Sequence, residues 1–156
     1  MKFFALALRT LDAFNQPTIV YAHCDIPCGI YTANPAQVAA KTVETMVQKL
    51  QALEVPAEMN DKEKMLAYHN SVARMVHVKE EHAALCKKEL LILWTDYFKE
   101  EHLAMFPDLH TTFWKAAKLC SKNKQEVNAT ASADLRKAVD EIAAMFEKAE
   151  AMKKSK

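Results

Sequence analysis

His23-Cys24-Asp25-Ile26-Pro27-Cys28-Gly29-Ile30-Tyr31 divides this chain into two unlike parts. The stretch holds two of the four cysteines, one of six histidines, one of five prolines and the single glycine of 156 residues. A chain with no glycine elsewhere has few corners at positive φ, and tight β-hairpins need them. The sequence after residue 31 therefore reads as helices joined by unstrained loops.

The apolar spacing supports an all-α reading. Asn34 and Pro35 suit the start of a helix, and Ala39, Val43, Met46, Val47, Leu50 and Leu53 then recur at three and four. Pro56 stops that run, and Asn60 with Glu63 has the form of a capping box. A second run extends from Asp61 to about Phe98 without Gly or Pro, long enough to leave room for a break. Met65, Leu66, Val72, Met75, Val76, Leu85, Leu90, Leu93 and Trp94 are its apolar positions. Leu90–Trp94 is apolar all round and reads as buried on more than one side. Pro107 opens a third helix with Leu109, Phe113, Ala116, Ala117 and Cys120 on one face. Ser121–Thr130 reads as a polar loop, with a formal glycosylation sequon at Asn128 attributed to chance. A fourth helix from about Ala131 carries Leu135, Val139, Ile142, Met145, Phe146 and Ala149. Four amphipathic helices with short connections imply an up-down four-helix bundle.

The formal charge is +1, with acids and bases interspersed. No basic stripe marks a nucleic-acid partner, and no apolar run approaches the ~20 residues of a membrane span. Cys86 and Cys120 read as small buried apolar side chains, each alone in its helix, and argue for a reducing compartment.

Residues 1–22 differ in character from the helical remainder of the chain. Lys2 and the apolar Phe3–Leu8 hint at a signal, although Arg9 and Asp12 shorten its core. Val20-Tyr21-Ala22 has the form of a small-residue cleavage site. Removal of residues 1–22 is the expectation, with a retained N-terminal arm as the alternative. Cleavage would make His23 the first residue of a domain spanning 23–156.

The chemistry of 23–31 rests on its residue types. Two thiolates flanking Pro27 can converge on one point, and Gly29 lets the chain reverse. A free terminus at His23 would add an amine and an imidazole. Mixed sulfur and nitrogen donors in a plane favour Ni(II) or Cu(II) over tetrahedral zinc. A Cys24–Cys28 disulfide remains open on spacing alone. A structural zinc site lacks a second cysteine pair, and a di-iron bundle lacks its Glu-x-x-His pairs.

This stretch resembles the nickel hook of nickel-containing superoxide dismutase. Leu93-Trp94-Thr95-Asp96-Tyr97-Phe98-Lys99 resembles that family's second signature, and Phe106-Pro107-Asp108-Leu109-His110 is similar to the segment after it. The resemblance implies a leader cut by a processing protease directly before His23, and a homohexamer of four-helix bundles. It implies one nickel ion per subunit cycling between Ni(II) and Ni(III), with superoxide as substrate. His23 would give its terminal amine and, in the oxidised state, its imidazole. Cys24 would give its amide nitrogen and sulfur, and Cys28 its sulfur. Tyr31 and Tyr97 would line the entrance and order water and the anion, while Asp25 helps hold the turn of the hook. Lys99 is expected either to add positive potential at the approach or to be simply solvated.

The resemblance has one gap. The Glu/Arg pair that orients the axial histidine in some members falls on Ala39 and His82, with His82 read as a surface residue and, as the alternative, as a replacement for that support. The resemblance points to the cytoplasm, with a plastid or exported location left open by residues 1–22. A helical interaction protein with oxidised N-terminal cysteines is the competing class, and thiol titration with metal analysis separates it from the enzyme.

Overall fold

The computed structural model describes residues 29–154. Four α-helices carry the described chain: α1 (Asn34–Ala52), α2 (Lys62–Ile92), α3 (Leu109–Gln125) and α4 (Ala129–Lys154). A π-helical turn, Leu93–Tyr97, continues α2, and a 3-10 turn, Glu100–Ala104, precedes α3. Among the described residues there is no strand. Each helix packs on the next in sequence, and α1 also packs on α4, which closes the bundle.

Helix α1 presents a seam of small side chains, Ala36, Ala39, Ala40, Val43 and Val47, all buried. Small residues let its backbone approach α2 and α4 closely. Gln37 donates to Asp140 Oδ1 at 2.8 Å, and Arg136 donates to the Gln37 carbonyl at 2.8 Å, tying α1 to α4. The helix is capped at Ala33 with Pro35 in its first turn, so the cap falls one residue before the expected Asn34, which lies inside the helix.

Helix α2 starts at a cap one residue later than the capping box implied. Asp61, not Asn60, accepts the backbone N–H groups of Glu63 and Lys64, both at 3.1 Å. At ~1.5 Å per residue its 31 residues span roughly 46 Å. Its buried face departs from the apolar list: Lys79, Ala83, Cys86 and Leu90 are buried, whereas Leu66, Leu85 and Leu91 are exposed. Cys86 and Cys120 are not isolated either. They face each other between α2 and α3, and the hydrogen bond with Cys120, together with burial, pushes the Cys86 thiol far up.

Lys79 explains the longest discrepancy. Its ammonium is buried and donates to the carbonyls of Asn123, Lys124 (3.0 Å) and Glu126 (3.2 Å). The last carbonyls of a helix lack intrahelical partners, and here a side chain from another helix supplies them. Helix α3 therefore runs on into the stretch expected as a polar loop, ending at Gln125. Burial pulls the Lys79 pKa down, with Glu80 opposing. Only 126–128 separate α3 from α4, and the Asn128 side chain accepts from the Ala131 N–H at 3.0 Å, capping α4. Leu135, Val139, Ile142, Phe146 and Ala149 are buried as their spacing requires.

Lys79→Ala leaves three carbonyls of a helix end without their shared donor. The expected loss is about 3 kcal/mol, read from the urea midpoint. A loss below about 0.5 kcal/mol, the range of an ordinary surface substitution, would contradict this role.

Candidate functional site

The end of the bundle where α1 begins and α2 and α4 finish carries a recess. Tyr31 and Tyr97 form its aromatic wall, with Gly29 beside them. Asp96, Lys99, Glu150 and Lys153 contribute the charged rim, and the empty volume is about 360 Å³, partly open to solvent.

Tyr97 is placed by the π-helical turn. The Phe98 N–H reaches back to the Leu93 carbonyl at 3.0 Å, five residues away. Such wide turns recur at functional sites because they re-aim side chains. Tyr97 and Phe98 are both buried by this turn. The Tyr97 ring lies 4.4 Å from Phe146, 5.0 Å from Phe98 and 5.9 Å from a parallel His102. Its hydroxyl donates to Glu150 Oε1 at 2.7 Å. Burial first, then the bond to Glu150 and its charge, push the phenol pKa well above the ordinary tyrosine value. The edge of Tyr31 meets Tyr97 at 6.1 Å and 75°.

The turn itself is braced from below. His102 is buried, and its Nδ1 accepts the Lys99 N–H at 2.9 Å, which leaves the ring proton on Nε2. Trp94 donates to His110 Nδ1 at 2.9 Å and stacks on Phe113. Phe98 meets the edges of Phe106 and Phe113. The two sequence signatures, 93–99 and 106–110, are thus one packed unit.

Of the expected site residues, Tyr31 and Tyr97 come together. His23, Cys24, Asp25 and Cys28 lie outside the described residues. Among the described residues no group of three or more His, Cys, Asp or Glu could hold a metal ion. Gly29, the residue after Cys28, is described, and its φ of +96° is a conformation glycine adopts without strain. Ala39 is fully buried, and His82 is half-buried against its own helix, with Nδ1 at 2.9 Å from the Val78 carbonyl. Lys99 does line the recess, but Asp96 on the same rim offsets its charge. Sequence reasoning missed Glu150 and Lys153. The available signal was a carboxylate four residues after Phe146, on the edge of an otherwise apolar stripe.

Comparison with known proteins decides the family. A family model described as nickel-containing superoxide dismutase matches residues 18–150. The chain belongs to the nickel-containing superoxide dismutase family. A superoxide dismutase [Ni] from Streptomyces seoulensis is 37% identical over 130 residues, covering 83% of this chain and 87% of the relative. The structure is similar to a crystal structure of nickel-containing superoxide dismutase with nickel ligation corresponding to the oxidised state. That similarity has a TM-score of 0.68 at 29% identity, covering 82% of this chain and 98% of the other. It is comparably similar to a native structure of nickel superoxide dismutase, with a TM-score of 0.69 at 26% identity and the same coverage. As a member of the nickel family, this chain takes nickel as its cofactor.

Among the described residues a Cβ added at Gly29 meets nothing within 4 Å, so the cost of Gly29→Ala read from them is conformational. That cost is about 1–2 kcal/mol for an L-residue at positive φ. The expected result is nickel affinity lower by roughly tenfold with the helical circular dichroism unchanged. Unchanged affinity would show that this backbone conformation is not needed for metal binding.

Proposed function

We propose that this chain, a nickel-type superoxide dismutase, holds its nickel at 23–28, with Tyr31 and Tyr97 forming the mouth above it. It converts two superoxide ions and two protons into dioxygen and hydrogen peroxide. The observation that carries the reading is the tyrosine-walled recess with Gly29 on its rim, in a chain of the nickel family.

The donor set suits the ion. The His23 amine and imidazole, the Cys24 amide and sulfur and the Cys28 sulfur would hold nickel, and such donors favour a tetragonal plane. Bound this way, nickel supplies a one-electron couple between Ni(II) and Ni(III). The chain's own residues do the rest. Thiolates are oxidisable, and a small recess admits small anions while excluding larger reactants. The formal charges of Lys99 and Lys153 on the rim are balanced by Asp96 and Glu150. Selection then rests on size and on the ordering of water at the tyrosine wall, more than on a net field. Asp25 would help hold the turn of the hook.

The reading requires a free amine at His23, hence removal of residues 1–22 by a processing protease. It carries with it a 23–156 domain, assembly into a homohexamer, and a cytoplasmic location, with plastid or export as the alternative. Within the described residues no helix is long and apolar enough to cross a membrane.

A chain starting at His23 should hold one nickel and be active. A chain starting at Met1, whose His23 nitrogen is an amide, should be inactive. Nickel content and superoxide consumption of both chains measure this, and equal activity would contradict the reading.

A further inference from the structure

Glu150 is a carboxylate at the lip of an apolar stripe, and its Oε1 is used twice. It accepts from the Tyr97 hydroxyl at 2.7 Å and from the Lys153 ammonium at 2.9 Å. The same ammonium stands 4.2 Å from the centre of the Tyr97 ring. Lys153, Glu150 and Tyr97 thus form a closed triangle on one wall of the recess.

A phenol carries one proton and two acceptor lone pairs. Once its proton is directed to Glu150, Tyr97 has only lone pairs to offer elsewhere. Superoxide and other small anions present acceptor atoms, so such a phenol does not bind them. Water and hydrogen peroxide carry protons and can donate to it.

We propose that Glu150 is a positioning residue for Tyr97: it draws the hydroxyl proton out of the recess, so that Tyr97 presents an acceptor there, and Lys153 neutralises the carboxylate. The proposal rests on the dismutase reading for its consequence in catalysis. Glu150 then keeps anions from lodging against Tyr97 and leaves that phenol open to water and to the protonated product.

The described charged and titratable groups around this triangle are Tyr31 before α1, Asp96 in the π-helical turn, Lys99 after it and His102 in the 3-10 turn. Asp96 acts on Tyr97 with the sign of Glu150, and Lys99 and Lys153 act against it. Removing the Glu150 charge leaves the cations in excess, which favours phenolate.

The test is a double-mutant cycle on the nickel-loaded chain starting at His23. Glu150→Leu, which removes the acceptor, should strengthen azide inhibition about tenfold, the effect of one freed donor on an anion. It should also move the alkaline fall of kcat/KM to lower pH. Both effects should vanish in the Tyr97→Phe background. In the metal-free protein, the tyrosinate absorbance step that Tyr97→Phe removes should move down in pH in Glu150→Gln. That step should move up in Lys153→Met, where the carboxylate loses its counter-charge. Equal azide shifts with and without the Tyr97 hydroxyl, or a tyrosinate step that neither variant moves, would overturn the proposal. A processed, nickel-loaded chain with no dismutase activity would instead end the functional reading, and the tyrosinate titration would still decide whether Glu150 acts on Tyr97.

Discussion

The clamp on the Tyr97 ring is the constraint that the described site depends on. Phe146 from α4, Phe98 from just after the π-helical turn and His102 from the 3-10 turn hold three of its sides, and Tyr31 meets it from the chain before α1. Each aromatic contact is worth ~0.5–1.5 kcal/mol beyond its buried area. A side chain held by several such contacts keeps its place without help from the hook. The tyrosine wall of the recess is built by the bundle, and on the proposed reading the hook has only to bring nickel to it.

That division of labour accounts for where stability sits. Closely packed small residues on α1, the Phe113 and Leu90 core, and the Lys79 cap on α3 are spread along the bundle. On the proposed reading the hook supplies the nickel donors, and metal binding adds free energy to the folded state. A rigid body with one chemically specialised end tolerates oxidising chemistry at that end. Cys86 and Cys120 lie fully buried between α2 and α3, and the raised pKa of the Cys86 thiol keeps it from the reactive thiolate form.

The sequence was most legible where the apolar period was regular. The stripes Leu109–Cys120 and Leu135–Ala149 lie in the core as their spacing requires, because each packs one face against two neighbours. Helix α2 was harder to read, since its middle buries Lys79, Ala83 and Cys86 and leaves Leu66 and Leu85 outside. Hydrophobicity alone does not announce a lysine whose charge is satisfied by three carbonyls. The end of α3 was misplaced for the same reason: its cap comes from a residue more than forty positions away, and local polarity favoured a loop. Tyr31 and Tyr97 were reached through family resemblance. Glu150 was not, because its role emerges only when α4 and the π-helical turn are brought together.

The central claim is that nickel is gripped by both hook thiols and the freed chain end, facing the two tyrosines. Nickel K-edge X-ray absorption on the chain starting at His23 addresses it most directly. The account predicts a first shell with two sulfur and at least two nitrogen scatterers. A shell of nitrogen and oxygen alone, with both cysteines still free to react, would contradict it.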